Sequence, residues 1–128
     1  MRRVVQVLLV GIGGATGAGL RLGLLEIGDV EVGSFPWPTL VANVVGSGLL
    51  GAIASRRLHE QTSWLFGAGL CGGLTTMSTF AVEVVDLADD QRAGLAVLYL
   101  ITSLLIAFVA YTATFRSGRR LDSGEAQR

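Results

Sequence analysis

Four long apolar runs dominate the chain, and almost every charge lies between or beyond them. Residues 4–20 carry no Asp, Glu, Arg or Lys, and the apolar run resumes after Arg21 to about Leu25. Residues 38–55, 61–82 and 93–115 are equally free of charge. At 1.5 Å of rise per residue, each run is close to the ~20 residues that cross a hydrocarbon core of ~30 Å. The runs lack strict apolar–polar alternation, and four strands cannot close into a membrane barrel, so they predict helices. Arg2 and Arg3 ahead of the first run suggest a secretion signal, but the run is too long, its centre is Gly-rich and three more spans follow. The expected fold class is an all-α membrane protein: four transmembrane helices over residues 1–115, then a polar tail over 116–128 that reads as disordered.

The predicted connections are short. Residues 28–37 form an acidic, turn-rich link with Asp29, Glu31, Gly33 and Pro36; residues 56–60 join the second and third spans, and 84–92 the third and fourth. His59, the single histidine, falls in the second link with no His or Cys beside it, which reads as a solvated side chain and not a metal ligand.

Composition narrows the class. Of 128 residues 51% are hydrophobic and 16% charged, and the mean hydropathy is +0.58. That excludes disorder, which needs low hydrophobicity and high net charge, and leaves room for one small domain. All ten basic residues are Arg and the net charge is zero, so bulk charge gives no nucleic-acid partner. Cys71 is the sole cysteine, which excludes an intrachain disulfide and a Cys-based zinc site. Most of the 18 glycines sit inside apolar runs without matching Pro or Ser, a pattern of close helix packing.

Arginine placement predicts orientation. Arg2, Arg3, Arg56, Arg57, Arg116, Arg119, Arg120 and Arg128 share one side, whereas the other has Arg92, with Arg21 near a helix end. Positive residues stay on the cytoplasmic side, so both termini are expected inside a cell-membrane protein, with Asp29, Glu31, Asp86, Asp89 and Asp90 outside.

Polar groups within the spans need an account, because a hydrogen-bonding side chain is costly in hydrocarbon unless it meets protein or water. The first helix holds Gly11, Gly13, Gly14, Gly17 and Gly19 and reaches Arg21. Gly13 and Gly17 make a small-residue packing motif with Arg21 snorkelling; alternatively Arg21 sits at an aqueous mouth and gathers anions. A phosphate-binding loop is a poor match, since no strand precedes it and no Lys-Ser/Thr follows. In the second helix Asn43 lies near mid-membrane with Thr39 and Ser47 at i−4 and i+4, either gluing helices together or offering its amide to an anion. In the third, Gly72-Gly73-Leu74-Thr75-Thr76 weakens helix propensity, so either a kinked packing helix or an unwound turn with free carbonyls suited to Na⁺ is expected. Tyr99 and Ser103 are i, i+4 neighbours on the fourth helix, with Thr102 adjacent; back-bonding to the helix would account for them without function. The spans hold no Asp or Glu except Glu83 at the end of the third, which argues against proton-coupled transport. No nucleophile–base pair is present, so no catalysis is expected.

Three blocks together are similar to the CrcB/Fluc fluoride channel family: Gly13-Gly14-Ala15-Thr16-Gly17-Ala18-Gly19-Leu20-Arg21; Thr39-Leu40-Val41-Ala42-Asn43-Val44-Val45-Gly46-Ser47; and Gly72-Gly73-Leu74-Thr75-Thr76-Met77-Ser78-Thr79-Phe80. Their order, their places on helices one to three and the chain length fit over residues 4–115. The resemblance implies a break in the third helix within an antiparallel, dual-topology type of dimer, with two narrow anion pores and a structural Na⁺ at the dimer centre. It implies a passive channel that lets cytosolic fluoride leave and so lowers its toxicity. On this reading Asn43 donates to fluoride, Ser78 and Thr79 join a polar track, and Phe80 presents its electropositive ring edge. Arg21 lies in the vestibule, the carbonyls of Gly72 and Thr75 from both subunits hold Na⁺, and Tyr99 and Ser103 resemble pore-facing hydroxyls.

Two departures stand out. The family usually has Phe where this chain has Met77, which is apolar and adaptable but has no ring edge. An antiparallel homodimer also needs near-balanced arginines, whereas eight lie on one side here; the expectation is one-way insertion and pairing with a homologous subunit of opposite bias, against pairing with itself. The competing classes fit less well. A small four-helix multidrug or cation exchanger needs an embedded Glu in its first helix, which is absent, and a non-transporting membrane scaffold leaves the polar stripe of Asn43 and Thr75 to Phe80 without a role.

Overall fold

The computed structural model describes residues 2–28, 34–56 and 58–125, the side chains of 122–125 excepted. Most of the acidic first link (29–33), Arg57 and the tail end 126–128 lie outside the described residues. All regular structure among the described residues is helical: α1 (Arg2–Ile27), α2 (Trp37–Ser55), α3 (Glu60–Thr62), a π-helical stretch (Ser63–Cys71), α4 (Gly72–Leu74), α5 (Met77–Asp89) and α6 (Ala93–Glu125). They compose four helices long and apolar enough to cross a membrane, the third being the composite Glu60–Asp89. The four-helix expectation holds, and so does the break.

Local chemistry sets the element ends. α2 opens with Pro38 in its first turn, where a missing N–H costs nothing. His59 caps α3, its Nδ1 accepting from the Gln61 N–H at 3.4 Å, so the loop histidine has a structural use. α5 stops at a tight reversal in which Gln91 takes φ 59° and the Arg92 N–H donates to the Leu87 carbonyl at 3.0 Å, the bonding of a Schellman cap with glutamine where glycine is favoured.

Two differences from the predicted boundaries share one cause. The third span continues past Val82 to Asp89, leaving a link of only three residues. Residues 116–125, read as part of a disordered tail, instead continue α6 without interruption to Glu125. Hydropathy marks where hydrocarbon ends, whereas a helix can run on past that point, and neither segment holds a proline.

Packing follows residue size. α1 lies along the π-helical stretch and α4, α2 lies along α6, and α5 packs on α6. At the first contact, Gly13 and Gly17 of α1 face Gly69 and Gly73 of the third span. A Cβ at Gly17 would collide with the backbone of Leu70 and Leu74, and one at Gly73 with the backbone of Gly14 and Ala18. The two helices therefore touch backbone to backbone, as the packing reading of the first helix expected. A second centre gathers Leu40, Phe80, Leu87, Ala96 and Tyr99, with Phe35 and Val84 against it. Leu105, Phe108 and Val109 of α6 face outward, the polarity a lipid solvent demands.

Candidate functional site

The site grows from the interruption at Thr75 and Thr76. Thr75 takes φ −76° and ψ 150° and Thr76 φ −144° and ψ 122°, both extended, so two peptide groups leave the helical ladder in mid-span. Exposed peptide groups there would be costly, and side chains replace the lost bonds. Asn43 of α2 meets Thr76 face to face: its Nδ2 donates to the Thr76 carbonyl at 3.1 Å and its Oδ1 accepts from the Thr76 N–H at 2.7 Å. The Arg21 guanidinium donates to the Thr75 carbonyl at 3.3 Å. Thr76 Oγ1 accepts from the Thr79 N–H at 3.2 Å and so caps α5.

This arrangement leaves specific groups unused. Asn43 carries two amide hydrogens, of which one serves Thr76 and the second has no partner among the described residues. Because the Thr76 N–H is turned to Asn43, the Gly72 carbonyl loses its i+4 donor. Gly72 faces open space, with nothing within 4 Å of where its Cβ would be. Ser103 Oγ is buried with no hydrogen-bond partner among the described residues.

An open cleft of about 620 Å³ brings these groups together, lined by Asn43, Ser47, Gly72, Thr75, Thr76, Met77, Phe80 and Ser103, with Leu50, Gly67, Ala68, Cys71, Leu104 and Ala107 completing its wall. Met77, 69% exposed, stands at its rim, whereas Phe80 is buried with its ring 5.2 Å from that of Tyr99. Most of the wall is apolar, so the few polar groups act where water is scarce and a donor is worth more than in bulk solvent.

Other singled-out residues lie elsewhere. The hydroxyls of Ser78 and Thr79 cluster with Thr76 Oγ1 at 3.2 and 3.0 Å, at the start of α5 and off the cleft wall. Tyr99 is fully buried and its hydroxyl donates to Glu83 at 2.6 Å, while Thr39 Oγ1 donates to the other Glu83 oxygen at 2.6 Å. Arg21 approaches the break through the Thr75 carbonyl without lining the cleft. Sequence reading missed Thr76 as the pivot and Glu83 as the anchor of Thr39 and Tyr99. Glu83 had one signal, its being the acid that directly ends the charge-free run 61–82; Thr76 had only the rule that an unwound turn needs a partner.

Comparison with known proteins adds a second line. The family described as CrcB-like protein, Camphor Resistance (CrcB), matches residues 8–115. The chain is 44% identical over 112 residues to "Fluoride-specific ion channel FluC 2" of Rhodococcus jostii, covering 88% of this chain and 97% of that one. It is 39% identical over 103 residues to "Fluoride-specific ion channel FluC 1" of Mycobacterium bovis, covering 77% and 78%. To "Fluoride-specific ion channel FluC" of Agrobacterium fabrum it is 34% identical over 125 residues, covering 92% and 99%.

Proposed function

Because the chain belongs to the CrcB-like family, we propose that it is a subunit of a fluoride-specific channel through which cytosolic fluoride leaves the cell passively. It is a multi-pass membrane protein with no catalytic role. The observation that carries the site assignment is the Asn43–Thr76 pair at the broken third span, which leaves one Asn43 N–H beside an apolar cleft.

The mechanism follows from what the lining can offer. Fluoride is small, strongly hydrated and a strong acceptor, so its water shell must be replaced by converging donors. The spare Asn43 N–H and the unpartnered Ser103 hydroxyl supply two, held at fixed positions by Thr76 and by burial. Phe80 can add the positive edge of its ring, and its packing on Tyr99 limits how that ring moves. None of these groups carries a full positive charge, so the ion is solvated but not trapped. Arg21 is a full charge, and its hydrogen bond to Thr75 keeps it off the cleft wall while its field still favours anions nearby.

A second subunit completes the proposal. The cleft is open on one side, and Gly72 and Met77 are exposed in the single chain, as expected of surfaces that a second subunit covers. We assign Ser78 and Thr79, whose hydroxyls are tied to Thr76, to the pathway beyond the cleft, in an antiparallel dimer with two pores. The arginine bias supports one-way insertion with both termini in the cytoplasm and pairing with a homologous subunit of opposite topology. Relatives named FluC 1 and FluC 2 are consistent with paired chains.

The Gly72 and Thr75 carbonyls suit Na⁺ at the dimer centre: both are neutral, hard oxygens at a helix break, and that of Gly72 lacks its helical donor. The Thr75 carbonyl is shared with Arg21, and two ligands per chain require both subunits. Bound there, Na⁺ would supply charge that ties the two broken helices together.

The test is ion efflux from sealed liposomes holding this chain alone, then with a homologous subunit of opposite arginine bias. Fluoride is expected to escape while chloride is retained, and only when both orientations are present. Vesicles tight to fluoride with every partner contradict the function; full efflux from the chain alone, with a C-terminal reporter found equally on both faces, contradicts the pairing.

A further inference from the structure

The end of the bundle that carries both described chain ends holds a feature the channel reading does not use. Arg2 of α1 is paired with Glu60 of α3 at 3.1 Å, and Gly118 of α6 is pressed against Ser55 of α2, so these four helix ends share one face of the membrane. The apolar run 93–115 rises about 35 Å, enough by itself to cross a hydrocarbon core of about 30 Å. Residues 116–125 therefore emerge at headgroup depth on a helix that has not ended.

The rotation of that emerging helix is set by its one close contact. Gly118 faces α2; at about 100° per residue Arg116 points roughly opposite to it and Arg119 about 100° round to the side, and both are exposed. Neither is paired with an acid among the described residues. Arg119 is held in place: its guanidinium sits 5.8 Å from the Phe115 ring, which is stacked at 5.9 Å and 10° on Tyr111. An arginine over an aromatic at the membrane boundary keeps its edge N–H groups free for a planar, bidentate acceptor.

We propose that Arg116 and Arg119, on the Tyr111–Phe115 ladder, form a binding site for the phosphate of anionic phospholipid headgroups, distinct from the ion pathway. Depth selects the ligand: the guanidinium groups stand where lipid phosphates lie, and their stems run along the apolar end of α6. Holding the helix end at the headgroup layer would also oppose its being drawn through the bilayer.

The full chain in nanodiscs of phosphatidylcholine, with and without phosphatidylglycerol, tests this by the retention of labelled phosphatidylglycerol around the protein. With each arginine contributing about 1 kcal/mol near an anionic surface, R116Q/R119Q is expected to lower retention roughly thirtyfold. Phe115→Leu, which removes the platform and keeps both charges, is expected to lower it several-fold, and the thermal melt in detergent checks that each variant stays folded. Equal retention by the wild type and a folded R116Q/R119Q variant overturns the proposal. Displacement of the lipid by millimolar glycerol phosphate overturns the lipid as ligand and assigns the site to soluble phosphates.

Discussion

Gly72 and Gly73 are neighbours in one motif, yet they do opposite things. Gly73 is wedged against the backbone of Gly14 and Ala18, where any side chain would force α1 off the third span. Gly72, one residue earlier and about 100° round the helix, has nothing within 4 Å of its missing Cβ. The first belongs to a seam of Gly13, Gly17, Gly69 and Gly73 whose work is close packing. The second belongs to an open face where the helix breaks and hydrogen-bonding groups lie unclaimed. Residue type is identical, and direction alone decides whether a glycine joins the packing or the chemistry.

Substitutions along both faces test that division. Gly17→Val is expected to do the most harm, because the obstructing atoms are backbone and cannot rotate aside; about 3 kcal/mol or more of stability should be lost, seen as a collapsed thermal melt in detergent. Comparable stability to wild type would mean that α1 does not lie on the third span.

Asn43→Ala comes next. It strips both bonds from the Thr76 peptide and leaves a buried N–H unpaired, at a cost of about 2–3 kcal/mol, with fluoride efflux lost even below the melting transition. Efflux surviving in a destabilised protein would separate the break from the pathway.

Gln91→Gly acts outside both faces and should stabilise by about 0.5–1 kcal/mol, because φ 59° suits glycine and strains glutamine. An unchanged or lower melting temperature would refute the reading of that turn. Gly72→Ala is expected to shift the melt of the isolated chain least, by under about 0.5 kcal/mol, since helix propensity favours Ala and no neighbour is struck. Its effect should appear instead as weaker Na⁺-dependent stabilisation of the assembled channel; a large loss in the isolated chain would place Gly72 in the seam after all.

Much of this was legible in the amino-acid order. The four spans follow from charge-free runs matched to bilayer thickness, and the break follows from two glycines and two threonines in the middle of one run. Gly13 and Gly17 declared the packing motif, but not that Gly69 and Gly73 would mirror it, because facing requires knowing which helices meet. The partner of Asn43 was hidden for the same reason: 33 residues separate it from Thr76. The role of Tyr99 depended on Glu83 lying across α5 and α6 from it, and single-helix spacing cannot supply that. The extension of α6 was missed because polarity at Arg116 was read as the end of the helix, when it marks only the end of hydrocarbon.

The central claim is that Asn43 both holds the broken helix and presents a spare N–H to fluoride, and Asn43→Asp removes donation while keeping one of the two bonds to the break. Aspartate keeps an acceptor for the Thr76 N–H but sets an oxygen against the Thr76 carbonyl where the amide donated, so the variant is read only where it still folds and dimerises. Fluoride efflux from liposomes holding the folded variant and its partner subunit is the direct measurement. The account predicts that efflux falls to the leak of empty vesicles while the dimer still forms; wild-type efflux from the variant would contradict it.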